Sequence, residues 1–332
     1  MLAQTQCFDT RAGERFEMQL DTIFAAVADP EETIQPAIQS AADLARTVGA
    51  QVVLFHATFD SSLSGRPFFD SRRLARSRGW LVAKRTREIE RHARKLQQRG
   101  LDARTHVVWE EPAYESIIRG AIREKADLVV AGTHMPGRPN APFSLRQNDW
   151  QLLRLCPRPL LLVRGSQPAR GPVVAALDPT HANDKPATLD RALARAASYF
   201  AEAMGTDFHA VHSIPAAVYP LDASDAASRA QMRKKVRKKM ERLLARSKTT
   251  VARAHILQGA PEKTIPRLVA KLDAQLLVMG ALSRRGLKRF AIGDTAERTI
   301  GSLSCDLLIL KPENFELKLG RTKRESVILP EE

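Results

Sequence analysis

Short runs of Val, Ile, Leu and Ala alternate along this 332-residue chain with longer stretches whose apolar side chains recur every three or four residues. The short runs predict buried strands and the longer ones helices with one apolar face. In the first part of the chain, strands are expected near 22–28, 51–57, 103–109, 127–131 and 159–164, and helices near 32–48, 72–99, 112–125 and 147–155. In the second part, strands are expected near 172–177, 207–213, 250–256, 275–279 and 306–310, and helices near 186–204, 224–246, 261–272 and 294–303. Strict alternation implies an α/β fold with parallel sheets covered on both faces, whose ligands sit at the carboxyl ends of the strands.

The two parts repeat one another. Asp127 to Gly132 matches Gln275 to Gly280, and Cys156 to Val163 matches Cys305 to Leu310. Trp109-Glu-Glu-Pro112 matches Gln258-Gly-Ala-Pro261, and apolar runs end in Asp-Pro at Pro30 and at Pro179. The offsets are 148 or 149 residues. A unit of that length is a whole domain and not a solenoid module. The expected division is an extension over 1–17, a first domain over 18–164, a Gly/Pro/Ser-rich linker over 165–171, a second domain over 172–312 and a polar tail over 313–332. A few apolar residues in that tail suit it to docking on the body.

With 44% hydrophobic residues the chain builds two ordinary cores. No apolar stretch reaches the ~18 residues of a membrane span, and the N-terminus lacks a basic segment followed by an apolar one. Three cysteines without a CxxC motif suit a reducing compartment, so a cytoplasmic location is expected. Cys156 and Cys305 precede the last strand of each half and suit buried thiols.

The net charge is +15, and much of it falls on two amphipathic stretches, Arg72 to Arg99 and Arg229 to Lys248. Two readings stay open: solvated helix faces, or an anionic partner, whether nucleic acid, acidic lipid or acidic protein. No interleaved aromatics or groove-reading motif point to sequence-specific binding.

The segment from Val278 to Glu297 has the layout of a strand, a Gly/Arg loop and a helix start. Glycines admit close backbone approach to phosphate, arginines supply charge, and a helix N-terminus adds unpaired donors. Gly280, Ser283, Arg284, Arg285, Gly286, Gly293, Asp294 and Thr295 are therefore candidate ligand contacts, together with Asp178 at the end of the half's first strand. The cations, with Lys288 and Arg289, are alternatively solvated loop residues, and Asp294 with Glu297 three residues on is alternatively a capping box. In the first half, Pro136, Pro139 and Pro142 remove amide donors after Gly132, so the same cradle cannot form. The histidines show no HxxxH-like spacing, and no Gly-x-Ser-x-Gly elbow or triad is present, so neither a metal site nor catalysis is expected. His56 and His212 end equivalent second strands and are expected in the core or on a cleft wall.

Gly280-x-x-Ser283, followed nine residues later by Gly293-Asp294-Thr295, resembles the nucleotide loop of the universal stress protein family. Asn148 to Pro157 and Cys305 to Glu313 are similar to its tandem-domain UspE type. The resemblance implies two tandem five-stranded, Rossmann-like open sheets related by a pseudo-twofold axis, with Leu160–Val163 and Leu307–Leu310 pairing between the halves. It implies a non-enzymatic, cytoplasmic stress-response protein, with a small-molecule crevice in the C-terminal domain suited to ATP and Mg2+. Ser283 departs from the family's second glycine and Asp294 from its Ser/Thr, and a carboxylate at the latter position repels phosphate. A rival reading is a scaffold or adaptor whose crevice holds an apolar or lipid-like molecule beside Phe208, Val211, Ile214 and Val218.

Overall fold

The computed structural model describes residues 18–64, 71–133, 145, 147–164, 171–180, 187–215, 226–249, 253–281, 294–313, 315–317, 319, 320 and 325–330, with backbone alone for Ala187, Asp294 and Thr295. The first half runs β1 (Thr22–Ala26), α1 (Pro36–Val48), β2 (Gln51–Thr58), a 3-10 turn (Ser61–Leu63), α2 (Ser71–Gln97), β3 (Ala103–Trp109), α3 (Ala113–Arg123), β4 (Leu128–Gly132), α4 (Gln147–Leu155) and β5 (Leu160–Val163). The second half repeats the order with β6 (Val173–Ala176), α5 (Ala187–Ala203), β7 (Phe208–Ile214), α6 (Ala226–Ser247), β8 (Arg253–Gln258), α7 (Pro261–Lys271), β9 (Leu276–Gly280), α8 (Asp294–Ile300) and β10 (Asp306–Leu310).

All ten strands join one sheet in the order β3-β2-β1-β4-β5-β10-β9-β6-β7-β8. Neighbours are parallel except at its centre, where β5 and β10 run antiparallel with Leu162 opposite Leu307, Leu161 opposite Leu308 and Leu160 opposite Ile309. These six side chains are essentially inaccessible to water. Each half thereby covers the other's apolar strand, which would otherwise be an unprotected edge. The two edges left, β3 and β8, expose the charged Arg104 and Arg253.

The sheet separates two apolar layers. One joins α1, α2, α5 and α6 through side chains such as Ile38, Ile89, Leu193 and Met240. The other joins α3, α4, α7 and α8 through Ile118, Leu153, Val269 and Ile300. Burial on both faces explains why β4 and β9 are continuous apolar runs instead of alternating ones.

Several boundaries differ from the sequence expectation. α1 starts at Pro36, not at 32, because proline excludes helical backbone from the residue before it, and Gln35 is extended at φ −120°, ψ 81°. β1 stops at Ala26, and β8 runs on to Gln258, two residues beyond the expected end; residues 250–252, where its start was expected, lie outside the described residues.

The C-terminal tail crosses from the second half to the first. Leu317 and Leu319 pack on the apolar layer of α3 and α4. The Glu325 carboxylate accepts from Trp109 Nε1 at 3.1 Å and Ser64 Oγ at 2.9 Å, and lies 3.4 Å from Arg78 Nε. Ile328 N donates to Ala75 O at 3.0 Å, so the tail lies directly on α2. That contact requires Gly79, where a Cβ would stand 1.7 Å from the Ile328 carbonyl oxygen.

Candidate functional site

In the second half β6 pairs with β9 on one side and β7 on the other, so the chain reverses its direction of strand addition at the β6/β9 boundary. In an open α/β sheet such a reversal is where ligands are expected, outside the carboxyl ends of the two strands. Ala175 is in register with Val278, which sets Gly280, the last residue of β9, and Asp178, two residues past β6, at the same end of the sheet.

Asp178 is buried, and several partners fix it. Its N–H donates to Asp190 Oδ1 of α5 at 3.0 Å. Its Oδ1 accepts from Thr180 N at 3.1 Å and Thr180 Oγ1 at 2.7 Å, with His212 Nδ1 3.9 Å away. Its Oδ2 is buried and meets no hydrogen-bond partner among the described residues. An unsatisfied carboxylate oxygen off a strand end is an acceptor suited to an amino or hydroxyl group.

The wall beside it is rigid. His212 Nδ1 lies 2.9 Å from Leu177 O, which ties the end of β7 to β6. Ser213 Oγ lies 2.9 Å from Gly259 O and 2.6 Å from Thr264 Oγ1, binding the β8–α7 turn to the same strand. Gly259 has φ 123°, a backbone shape that disfavours any side chain. Glu110 takes its place in the first half, where the turn follows a different path with a cis Glu111–Pro112 bond.

The first half repeats the wall but sets a cation against its aspartate. His56 Nδ1 lies 2.9 Å from Val27 O, and burial holds its pKa below the ordinary histidine value. Asp29, in the place of Asp178, accepts from Glu31 N at 3.0 Å and faces Arg85 Nη1 at 3.6 Å. Arg85 also pairs with Glu31 at 3.2 Å and Glu88 at 2.8 Å. The protein's own cation thus stands against the equivalent carboxylate. A polar cleft of about 410 Å³ opens nearby, between Pro30–Thr33 and the last turns of α2.

The repeated element order, the antiparallel pairing of the two last strands at the seam and the two matching walls mark a duplicated domain. A model of the universal stress protein family matches residues 20–164 and again residues 172–311. The chain belongs to that family. Two copies make it a tandem member, of the universal stress protein E type. Universal stress protein E of Photorhabdus laumondii is 28% identical over 311 residues, covering 90% of this chain and 97% of the relative. That of Escherichia coli K12 is 27% identical over 299 residues, covering 87% and 94%. A solved universal stress protein from Pseudomonas aeruginosa, 22% identical, superposes with a TM-score of 0.68 over 90% of this chain and 95% of its own. One from Archaeoglobus fulgidus, 16% identical, gives 0.59 over 88% and 99%. Both share the fold.

Among the residues expected at the universal stress protein loop, Asp178 stands two residues past the end of β6 and Gly280 is the last residue of β9. Ser283, Arg284, Arg285, Gly286 and Gly293 lie outside the described residues, and Asp294 and Thr295 are fixed as the first two residues of α8. Glu297, the second member of the expected capping box, accepts at Oε1 from Arg154 Nη2 of the other half at 2.8 Å, and the side chain of the first member, Asp294, lies outside those described. The apolar crevice wall is corrected. Phe208 and Ile214 are buried under α5 and α6, and Val211 faces the opposite layer, so none of the three lines an opening. Val218 lies outside the described residues.

Other buried groups serve the frame. Cys156 and Cys305 are free and buried, and desolvation pushes their thiol pKa values up to about 11 and about 12. Lys311 donates to Leu153 O and Arg154 O at the C-terminus of α4, where a cation offsets the helix dipole; burial lowers its pKa to about 8. Among the described residues no three His, Cys, Asp or Glu side chains cluster as a metal site, and no helix is long and apolar enough to cross a membrane. Thr180 and Asp190, which fix Asp178, carried no motif in the sequence; of its neighbours only His212 was marked, as the counterpart of His56 at the end of a second strand.

Proposed function

We propose that this chain is a non-enzymatic cytoplasmic stress-response protein whose C-terminal domain holds a nucleotide, ATP with Mg2+ being the form its loop suits best. One observation carries this reading: the buried Asp178 Oδ2 at the β6/β9 crevice lacks a hydrogen-bond partner among the described residues, whereas its counterpart Asp29 faces Arg85. A carboxylate so placed accepts from an amino group of a base or a ribose hydroxyl. Gly280 leads directly into the segment rich in Gly and Arg, where phosphates are expected, and the start of α8 supplies backbone donors. The first half, with its aspartate engaged and its loop rich in proline, acts as the structural partner.

Isothermal titration with millimolar Mg-ATP tests the reading. Saturable heat at one site per chain is expected, lost in Asp178→Ala and retained in Asp29→Ala. No heat in the natural chain, together with none after Ser283→Gly and Asp294→Ser are combined, would overturn it.

A further inference from the structure

The net charge of this protein is not spread over its surface. α2 carries ten Lys or Arg against two Glu and α6 nine against one, a net of +8 each, while the whole chain carries +15. The two helices occupy equivalent places, each following the second strand of its half and each packing on the same apolar layer. The rest of the molecule is therefore close to neutral, and both halves concentrate cations on the same element.

α2 adds something that α6 lacks. Arg73, Arg76, Trp80, Lys84, Arg87, Arg91 and Arg94 follow one another at three- and four-residue intervals, which sets them in a single line along the helix. Ile89, Ala93 and Leu96 occupy the opposite side and are buried in the apolar layer on the sheet, and Val82 on that side is buried as well, so the line faces water. It runs ~32 Å at the helical rise per residue. Trp80 stands in its middle and is 57% exposed, whereas Trp109 is 6% exposed. Lys84 is tied to Glu31 at 2.6 Å, but Arg73, Arg76, Arg87, Arg91 and Arg94 meet no carboxylate within ion-pair distance among the described residues. An exposed indole flanked by unneutralised arginines costs a solvated helix face some solubility and does nothing for the core.

We infer that the outer face of α2 binds single-stranded nucleic acid, its arginines following the phosphates while a base stacks on Trp80. A row of cations takes any polyanion by releasing its counterions. The indole restricts the choice, because a base can lie on it only if it is not already stacked inside a duplex, and such stacking tolerates any sequence. Insertion into a lipid surface needs an apolar stripe turned outward, and the apolar stripe of this helix is turned into the protein. The site is separate from the Asp178 crevice, so either can fail without the other.

Trp80 also provides the readout. Titrating the full chain with an oligothymidylate of about twenty nucleotides is expected to quench the intrinsic emission, with affinity falling steeply as salt rises. Trp80→Ala is expected to remove most of the quench and weaken binding, measured by anisotropy of a labelled oligonucleotide, by roughly 5- to 150-fold. Arg87→Glu combined with Arg91→Glu is expected to weaken binding and flatten its salt dependence. Equal affinity for duplex of the same length, or unchanged affinity in Trp80→Ala, would overturn the proposal in favour of a general polyanion surface. A Trp80 response to anionic phospholipid vesicles but not to oligonucleotide would overturn it in favour of a membrane.

Discussion

Arg154 and Glu297 meet across the two halves, Nη2 to Oε1 at 2.8 Å, and so join α4 of one domain to α8 of the other. Each side chain is about one-third exposed, at 33% and 34%. Water therefore screens the pair, and its contribution falls in the range of about 0.2–1 kcal/mol. A double-mutant cycle of Arg154→Ala and Glu297→Ala in chemical unfolding is expected to return a coupling of that size that shrinks with added salt. A coupling above about 2 kcal/mol would mean that the pair is far less hydrated than its exposure indicates.

Gly79 gives a sharper test of the docked tail. Alanine normally stabilises a helix interior relative to glycine by about 1 kcal/mol. Here its Cβ would stand 1.7 Å from the carbonyl oxygen of Ile328, a backbone atom that cannot yield without moving the tail. Gly79→Ala is expected to release residues 325–330, seen as faster amide exchange there and as a changed Trp109 environment once Glu325 leaves. Unchanged exchange would show that the tail does not rest on α2.

Asp306 at the start of β10 sets one pH dependence. Burial, only partly opposed by the Arg164 N–H and the Arg164 charge, raises its pKa from 3.8 to about 6. The folded chain therefore binds more protons than the unfolded chain between roughly pH 4 and 6, and stability from this group falls as pH rises through that window. The residue keeps some contact with water, so a change of about 1–2 kcal/mol is expected. Melting curves of Asp306→Asn, compared with the natural chain across that range, should show this slope removed.

His255 acts with the opposite sign. Desolvation, then His209 at 3.2 Å and the cations Arg253, Arg237 and Lys271, depress its pKa from 6.5 to about 4. Its neutral form is favoured in the folded chain, so its stabilisation is complete above about pH 6.5 and is lost as pH falls toward 4. An NMR titration is expected to find its imidazole neutral at pH 5, and His255→Gln should reduce acid lability. A midpoint near 6.5 would contradict the crowding of positive charge at this edge.

Buried thiols are inert because the thiolate is the reactive form. Cys156 and Cys305 are accordingly expected to resist a thiol reagent in the native protein and to react on unfolding. Prompt labelling of either at neutral pH would place that residue nearer the surface than its burial implies.

The strands were legible because burial on both faces leaves uninterrupted apolar runs, as in Leu128–Gly132 and Leu276–Gly280. What escaped was decided by tertiary neighbours. Nothing in the sequence around Glu297 announces its partner, Arg154, which reaches it from 143 residues away. Phe208, Val211 and Ile214 look like a greasy patch at a strand, yet helices on both sides of the sheet cover them. At the candidate site, Asp178 was visible from its place at a strand end. The His212 and Asp190 contacts that orient it come from other elements and leave no spacing to recognise, whereas Thr180 sits two residues on in the same turn. Trp80 was hidden for the opposite reason: within a heptad-like pattern an indole looks like a core residue until the buried face is known.

The antiparallel meeting of β5 and β10 within one polypeptide has an evolutionary consequence. Two identical subunits joined by such a contact must change together, since any mutation appears on both. Fusion separates their fates: Arg85 could be set against one aspartate while the other stayed open, and an indole could be added to one basic helix and withheld from its twin. Asymmetry of this kind is available to a covalent pair and denied to a homodimer.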